Sequence, residues 1–425
     1  MRYILVLLVL VLLVYVLFAK RKLDFFLISS LSVITYYYPA LLGGIYRLNG
    51  NIDISVGTYA CISIYVIALL YYLFINDRYN LSLAMYDNKN DLEKGNNELI
   101  TNRSIIALEL IGMVLLLYTI GKYGDIRHGF NKMQMLANAN RLTEYLKYIA
   151  LFSFVCSFIS KGEKILIARI LSIVLLGYTF ILGHRSFTVI GCIAIFVSKV
   201  ESQDRVVFFN YIKKNKAAII GISVLAILVL FIKGVFSALI TGQYELVKSR
   251  LENPEYYRTT LLSSEANVIT YNLQRVCESD MSYSIFQYLL GIVYLVPILG
   301  GRIGSIFDYT SFERTLNLNF NSRLDEGVGL GSTYLGEAYA VGGYPFVIIQ
   351  SFCAFILMSW MMKTRSRHKS IESNAFFLIV LSYFSFYIHR NSLIFLLITA
   401  RAYLYIFIIF KMIRFIISDV IKGKA

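Results

Sequence analysis

The sequence predicts an all-α polytopic membrane protein, and this prediction rests on composition and on the length of the apolar segments. Of the 425 residues, 57% are hydrophobic and the mean hydropathy is +0.64, which excludes an ordinary soluble protein. Apolar segments recur along the chain, each long enough to cross the hydrocarbon core as a helix of about 20 residues. Because the chain contains only four prolines, most of these helices should run unbroken.

We predict about eleven transmembrane helices from these segments. They lie near residues 3–19, 24–45, 54–75, 104–121, 145–160, 165–182, 187–200, 217–233, 341–362, 373–388 and 391–410. These helices divide the chain into three parts. An N-terminal membrane bundle of about eight helices (1–233) is followed by a large outer loop (234–340), and then by about three helices and a cytoplasmic tail (341–425).

Short basic clusters orient the predicted helices, because lysine and arginine are enriched in cytoplasmic loops. Lys20, Arg21 and Lys22 follow the first helix, which places that end in the cytoplasm and the N-terminus outside. Alternation along eleven helices then places the other short basic clusters inside: Lys161/Lys164, Lys213/Lys214/Lys216, the run from Lys363 to Lys369, and Lys411, Arg414, Lys422 and Lys424. The net charge of +15 is therefore mainly a topology signal, and we expect no nucleic-acid partner.

The first helix is expected to stay in the protein. Arg2 precedes its apolar run, as in a secretory signal, but basic residues stand where a small-residue cleavage site is needed. Of the five cysteines, only Cys277 lies in the outer loop. The sequence therefore predicts neither a disulfide framework nor a metal cluster.

The outer loop 234–340 is too long and too rich in polar and aromatic residues for a passive connector. Within it, residues 285–299 are apolar but short for a membrane span, and Pro297 interrupts their end. We interpret this segment as a short helix that lies in the membrane interface or dips into the bilayer as a re-entrant helix.

The end of the outer loop, residues 323–345, reads RLDEGVGLGSTYLGEAYAVGGYP. Its alternating glycines allow the backbone to approach a ligand closely. Glu337 lies one helical turn after Tyr334, on the same face, and is a candidate general base at a helix end. The alternative is that Glu337 caps a helix or pairs with an arginine. Asp325 is either a solvated charge or, like Tyr334, a ligand for sugar hydroxyls, and the acids lack the tight spacing of a metal site.

Two short motifs occur where the chain leaves the bilayer on the predicted outer side. They are His184-Arg185-Ser186 and His389-Arg390-Asn391-Ser392. An arginine fixed in such a turn suits an anionic group such as a lipid-linked phosphate, because its planar fork is permanently charged. The alternative is that both arginines anchor helix ends to lipid headgroups. The two histidines are candidate proton acceptors or substrate contacts.

These features together resemble the O-antigen polymerase (Wzy) family. The resemblance rests on the Gly-x-Gly-Ser stretch, the Glu-Ala-Tyr sequence at residues 337–339, the Gly-Gly-Tyr that opens a membrane helix, the long outer loop and the two arginine turns. Most of the architecture fits this pattern, but the sequence-specific part is short. The resemblance implies a GT-C-like membrane glycosyltransferase that needs no cofactor.

The resemblance implies a reaction on the outer face of a bacterial inner membrane. Oligosaccharide repeat units linked to undecaprenyl diphosphate would be joined into O-antigen or a related surface polysaccharide. Arg185 and Arg390 would stabilise the departing diphosphate, and Glu337 would accept the acceptor proton. The implied substrate contacts are His184, His389, Arg302, Arg323, Asp325 and Tyr334. The implied partners are lipid-linked oligosaccharides, membrane lipids, a chain-length regulator and a flippase.

Two alternatives remain at this point. An O-antigen ligase would use the same donor, but would be expected to carry a histidine base in its outer loop, and residues 234–340 contain no histidine. A polysaccharide flippase or another transporter would often show internal repeats, and none is evident beyond the two His-Arg turns.

Overall fold

The computed structural model shows an all-α membrane protein. It describes residues 1–21, 23–45, 51–79, 96–123, 141–160, 165–182, 184–201, 206–216, 220, 235, 238–239, 242–262, 264–279, 281–296, 299–320, 332–368 and 370–422. The helices in these ranges are α1 (Arg2–Phe18), α2 (Phe25–Leu42), α3 (Val56–Tyr79), α4 (Asn96–Tyr123), α5 (Arg141–Ile159), α6 (Ile165–Ile181), α7 (Arg185–Val200), α8 (Phe208–Lys214), α9 (Tyr244–Glu252), α10 (Pro254–Leu262), α11 (Glu265–Glu278), α12 (Ile285–Val293), α13 (Leu299–Ile306), α14 (Phe312–Phe320), α15 (Tyr334–Arg367), α16 (Ile371–Ser382) and α17 (Leu393–Lys422).

Six stretches within the described residues are helical, long and apolar enough to cross a membrane. They are Phe25–Leu42, Val56–Arg78, Leu99–Lys122, Tyr334–Arg367, Ile371–Arg390 and Leu393–Val420. Helices α1 and α6 are apolar but shorter. Helices also occupy the predicted spans near 145–160 and 187–200, whereas most of the predicted span 217–233 lies outside the described residues. A count of eleven spans and the placement of the outer loop stay predictions.

Two pairs of very short strands connect helix ends. Strand β1 (Lys20–Arg21) pairs antiparallel with β4 (Val206–Val207). Strand β2 (Gly44–Ile45) pairs antiparallel with β3 (Ile52–Asp53). Both are two-residue ladders between helices, so they do not change the all-α class.

The described chain folds into two compact units, and each unit is built from three separate segments of the chain. The first unit contains residues 1–79, 205–357 and 384–398, and the second contains residues 80–204, 358–383 and 399–425. The division into an N-terminal bundle, an outer loop and C-terminal helices stays a prediction, because it depends on where the membrane lies.

In the first unit, the turn between α1 and α2 is held by a buried charge cluster. Asp24 begins α2 as its N-cap and accepts hydrogen bonds from the backbone of Phe26 and Leu27, which satisfies amides that a helix end leaves free. Arg21 is fully buried and lies 3.2 Å from Asp24 and 3.3 Å from Asp77 at the end of α3. A buried arginine is tolerated here because it contacts two carboxylates.

Helix α15 folds back on itself near its start. Gly342 and Gly343 leave the helical conformation, and Gly343 has φ 62°, a region that favours glycine. Residues 16 apart in a straight helix would lie about 24 Å apart, yet the Tyr334 hydroxyl donates to the Gln350 carbonyl at 2.5 Å. Residues 334–341 therefore form a short arm that packs back along the main part of α15.

Short helices from the predicted outer loop pack around this arm. Their apolar core consists of Val276, Tyr283, Tyr288, Phe312, Leu316 and Ala340. The Tyr283 amide donates to the Ala340 carbonyl at 2.9 Å, which ties the loop to the end of the arm. Helix α12 has nine residues and is too short to span a bilayer, but Ile285, Phe286 and Leu289 on it are exposed.

In the second unit, polar groups pair between α7, α15, α16 and α17. Arg414 lies 2.9 Å from Glu372 at the start of α16, and Arg365 lies 2.6 Å from Glu201. Glu109 on α4 is fully buried, and neither carboxylate oxygen has a hydrogen-bond partner among the described residues.

Candidate functional site

The second His-Arg motif lies in a break between two membrane helices. After α16 ends at Ser382, residues Tyr383–Tyr387 form a π-helical turn and Ile388–Arg390 form a 3-10 turn. Helix α17 then begins at Leu393. Such irregular backbone frequently occurs at functional sites in membrane helices, and here it carries Arg390.

Arg390 is paired within the first unit but is still accessible. One terminal nitrogen of its guanidinium lies 2.5 Å from Glu265 Oε1, and its centre lies 5.7 Å from the ring of Tyr387. The two charged side chains are 39% and 41% exposed. A pair this exposed contributes little stability, so Arg390 can exchange its carboxylate for another anion at small cost.

Glu337 lies on the folded-back arm and is fully buried. Its Oε2 accepts the Leu393 amide at 2.7 Å, and a weaker contact joins it to Gln350 Nε2 at 3.4 Å. Its Oε1 has no hydrogen-bond partner among the described residues. The first contact satisfies a free backbone amide at the start of α17.

Tyr334 lies one turn earlier on the same arm, as the sequence predicts. Its side chain is fully buried, and its hydroxyl donates within the protein to Gln350. The structure therefore brings Tyr334, Glu337 and the start of α17 together in one unit. The role of Tyr334 in sugar binding stays a prediction.

His389 is enclosed by tyrosines of α2 and α3. It is fully buried, and its ring centroid lies 5.9 Å from that of Tyr36, 4.9 Å from that of Tyr37 and 4.8 Å from that of Tyr65. Tyr37 and Tyr65 approach it edge to face. Neither ring nitrogen has a hydrogen-bond partner in the described part of the chain.

The first His-Arg motif belongs to the second unit and has a different local structure. His184 precedes α7 as its N-cap residue, with its ring 5.9 Å from that of Phe187. Arg185 is the first residue of α7, and its guanidinium lies 5.8 Å from the ring of Phe180. Both side chains are half-buried. The predicted joint action of Arg185 and Arg390 stays a prediction.

The other predicted substrate contacts lie elsewhere. Arg302 is exposed on α13, in the first unit. Arg323 and Asp325 lie outside the described residues, together with the alternating glycines 327, 329 and 331.

A cavity of about 410 Å³ lies beside the break, within the first unit. It is lined by Tyr294, Gly304, Ser305, Tyr309, Ser311, Glu313, Arg314, Ser392, Ile394, Phe395 and Ile398. The rings of Tyr294 and Tyr309 stack with centroids 5.3 Å apart. One wall is therefore aromatic and polar, and the wall from α17 is apolar.

Burial changes the acidity of two groups at this cavity. It raises the pKa of the Glu313 carboxyl, and the nearby positive charge of Arg390 partly offsets that increase. Burial, together with the charge of Glu337, also raises the pKa of Tyr309 to about 12. Tyr309 therefore stays a neutral hydroxyl at physiological pH.

Sequence reasoning missed Glu265 and Glu313. Glu265 follows the N-cap Ser264 at the start of α11. This pattern predicts a helix start, but it does not predict a contact with Arg390, which lies 125 residues further along the chain. Glu313 occupies the first turn of α14, where acidic residues are common for helix stability alone.

Comparison of the chain with protein-family models, with curated proteins and with solved structures gives no match in any of the three.

Proposed function

We propose that this all-α membrane protein is a glycosyltransferase that polymerises oligosaccharide repeat units carried on undecaprenyl diphosphate. The observation that carries the proposal is the accessible Arg390 at a helix break, beside a cavity with aromatic, polar and apolar walls. Ser392, two residues after Arg390, lines that cavity. The resemblance in residues 323–345 and in the two His-Arg motifs gives the substrate class.

The reaction needs a stabilised leaving group. The bond from the donor sugar's anomeric carbon to the diphosphate oxygen breaks, and a bond from that carbon to an acceptor hydroxyl oxygen forms. Negative charge then develops on the departing diphosphate. Arg390 would exchange Glu265 for this anion. Donors fixed before the reaction stabilise such charge at little cost of reorganisation.

The acceptor hydroxyl must lose its proton to a base. Glu337 is the first candidate, since one of its carboxylate oxygens has no hydrogen-bond partner among the described residues. Glu313 is the second candidate, because it lines the cavity and its raised pKa makes it a better proton acceptor than an ordinary carboxylate.

The cavity suits a sugar acceptor. Its volume of about 410 Å³ falls within the range of about 300–1,000 Å³ that is usual for small-molecule sites. The rings of Tyr294 and Tyr309 offer flat apolar faces for a pyranose, and Ser311, Glu313 and Arg314 offer groups that bind hydroxyls. The apolar side chains of α17 would lie towards the lipid carrier.

The proposed location is the inner membrane of a bacterium, with the site facing the periplasm. A flippase would supply the lipid-linked units to this face, and a chain-length regulator would act with the polymerase.

The glycolipid profile of a host that lacks this gene tests the proposal. Single repeat units without long chains are the expected result, and the gene in trans should restore the long chains. A gene in trans that carries Arg390→Ala should not restore them. Arg367→Ala is the matched control and should restore them, because Arg367 is an exposed arginine at the far end of α15. Long chains stranded on the carrier would indicate a ligase instead, and units trapped on the cytoplasmic side would indicate a flippase.

A further inference from the structure

Two cysteine thiols meet between α3 and α11 in the first unit. The Sγ atoms of Cys61 and Cys277 lie 3.9 Å apart, although 216 residues separate them in the chain. Cys61 is fully buried, and Cys277 is partly exposed. The sequence predicts no disulfide framework because only Cys277 lies in the outer loop, but the fold brings a second thiol to it.

The backbones at this point approach closely and are held there. A Cβ added at Gly57 would lie 3.2 Å from the Cβ of Cys277, so glycine allows α11 to pack tightly against α3. Gln274 Nε2 donates to the Asp53 carbonyl at 2.9 Å, one helical turn before Cys277. The sulfur atoms need to approach by only about 2 Å to reach the length of a disulfide bond.

Both thiols lie towards the end of α3 that the charge pattern places outside. The opposite end of α3 carries Asp77, which lies 3.3 Å from Arg21. Arg21 belongs to the first basic cluster, which marks the cytoplasmic side. Cys61 is the sixth residue of α3, at the other end of this helix. A thiol pair on the outer side meets oxidising conditions, where disulfides form and persist.

We propose that Cys61 and Cys277 form a disulfide in the mature protein. The oxidant is a second disulfide. The thiolate of Cys277, the more exposed of the two cysteines, attacks one sulfur of this oxidant and releases the other sulfur as a thiolate. The thiolate of Cys61 then attacks Cys277 Sγ and releases the second sulfur. The oxidant gains two electrons and two protons, and this protein loses the same number.

The bond would fix the helix that holds Arg390. Cys277 lies near the end of α11, and Glu265, which pairs with Arg390, is the first residue of the same helix. Linking α11 to α3 would limit its motion and so keep Glu265 in place. This inference is independent of glycosyl transfer, because it requires only that the pair faces an oxidising compartment.

Differential alkylation of the native protein tests the proposal. Intact cells are treated with N-ethylmaleimide, and the protein is then purified, denatured in the same reagent, digested without reductant and analysed by mass spectrometry. The expected result is a linked pair of peptides containing Cys61 and Cys277, two hydrogens lighter than the free pair, in most chains. Both cysteines carrying the label, or either one linked to a different cysteine, would overturn the proposal.

Two variants serve as controls. Cys61→Ser should leave Cys277 fully alkylated, whereas Cys353→Ser should leave the linked peptide unchanged, since Cys353 is an exposed thiol elsewhere in the chain. The measurement on the unaltered protein decides the question even if Cys61→Ser fails to fold.

Discussion

The two His-Arg motifs are alike in sequence but differ in structure. At Arg185 a helix simply restarts, and the arginine lies near an aromatic ring in its first turn. At Arg390 the helix passes through π and 3-10 turns before α17 begins. The second motif sits beside a cavity, and its arginine has a carboxylate at 2.5 Å. A shared motif therefore does not imply an equal role, and variants at the two positions measure the difference.

The largest effect is expected from removing the arginines. Arg390→Ala should lower polymerisation by about 100-fold or more, the usual loss when one donor to a developing negative charge is removed. Arg185→Ala tests the first motif separately, and a similar loss there would show that it too serves the reaction. Gel analysis of surface glycan, with membrane insertion checked separately, measures both. Normal glycan chain lengths in both variants would refute the proposal that these arginines stabilise the departing diphosphate.

Two substitutions at Glu337 distinguish a catalytic role of this residue from a structural one. Glu337→Ala should destabilise the protein by about 1–3 kcal/mol, because the half-buried Leu393 amide loses its acceptor. Glu337→Gln keeps an oxygen acceptor for that amide, so it should fold normally. If Glu337 is the base, the glutamine variant is folded but inactive. A fully active glutamine variant would show that Glu337 is not the base and only accepts the backbone amide at the start of α17.

The histidines of the two motifs should differ in their effect on stability. His389→Ala empties a buried site between three tyrosines and should cost about 2–5 kcal/mol, the range for truncating a large buried side chain to alanine. His184→Ala removes a half-buried ring and should cost less than about 1 kcal/mol. Thermal unfolding of the two variants in detergent measures the contrast. Equal losses would contradict the different environments of the two rings.

The smallest effect is expected at Glu313, and it depends on pH. Burial raises the pKa of this carboxyl in the folded protein, so protonation favours folding. Its contribution to stability is present below the unfolded pKa of about 4.3 and is lost as pH rises through the folded pKa. Glu313→Gln should therefore stabilise the protein near pH 7 and flatten the change in stability above pH 4. A steeper dependence in the variant would contradict this sign.

Local sequence signals predict the helices well, because an apolar run longer than about 17 residues leaves few other structures in a membrane. They also indicate that residues 323–345 are unusual. The sequence does not predict the fold-back of α15, because Gly342 and Gly343 before Tyr344 indicate only the opening of a membrane helix. The contact between Tyr334 and Gln350 that closes the arm spans 16 residues.

Contacts between distant segments could not be predicted from one sequence. Glu265 meets Arg390 across 125 residues, and Cys61 meets Cys277 across 216. Glu265 has an ordinary local explanation as a helix-start acid, and Cys61 has one as a small buried side chain. The enclosure of His389 likewise depends on how α2 and α3 pack, which the hydrophobic pattern alone does not specify.

The central claim is that Arg390 serves the transfer of glycan from a lipid diphosphate. Purified protein in liposomes, supplied with undecaprenyl-diphosphate-linked repeat units of the host, tests it most directly. We expect a ladder of longer lipid-linked products from the unaltered protein and from Arg367→Ala, and none from Arg390→Ala. No ladder from the unaltered protein, or an undiminished ladder from Arg390→Ala, would contradict the claim.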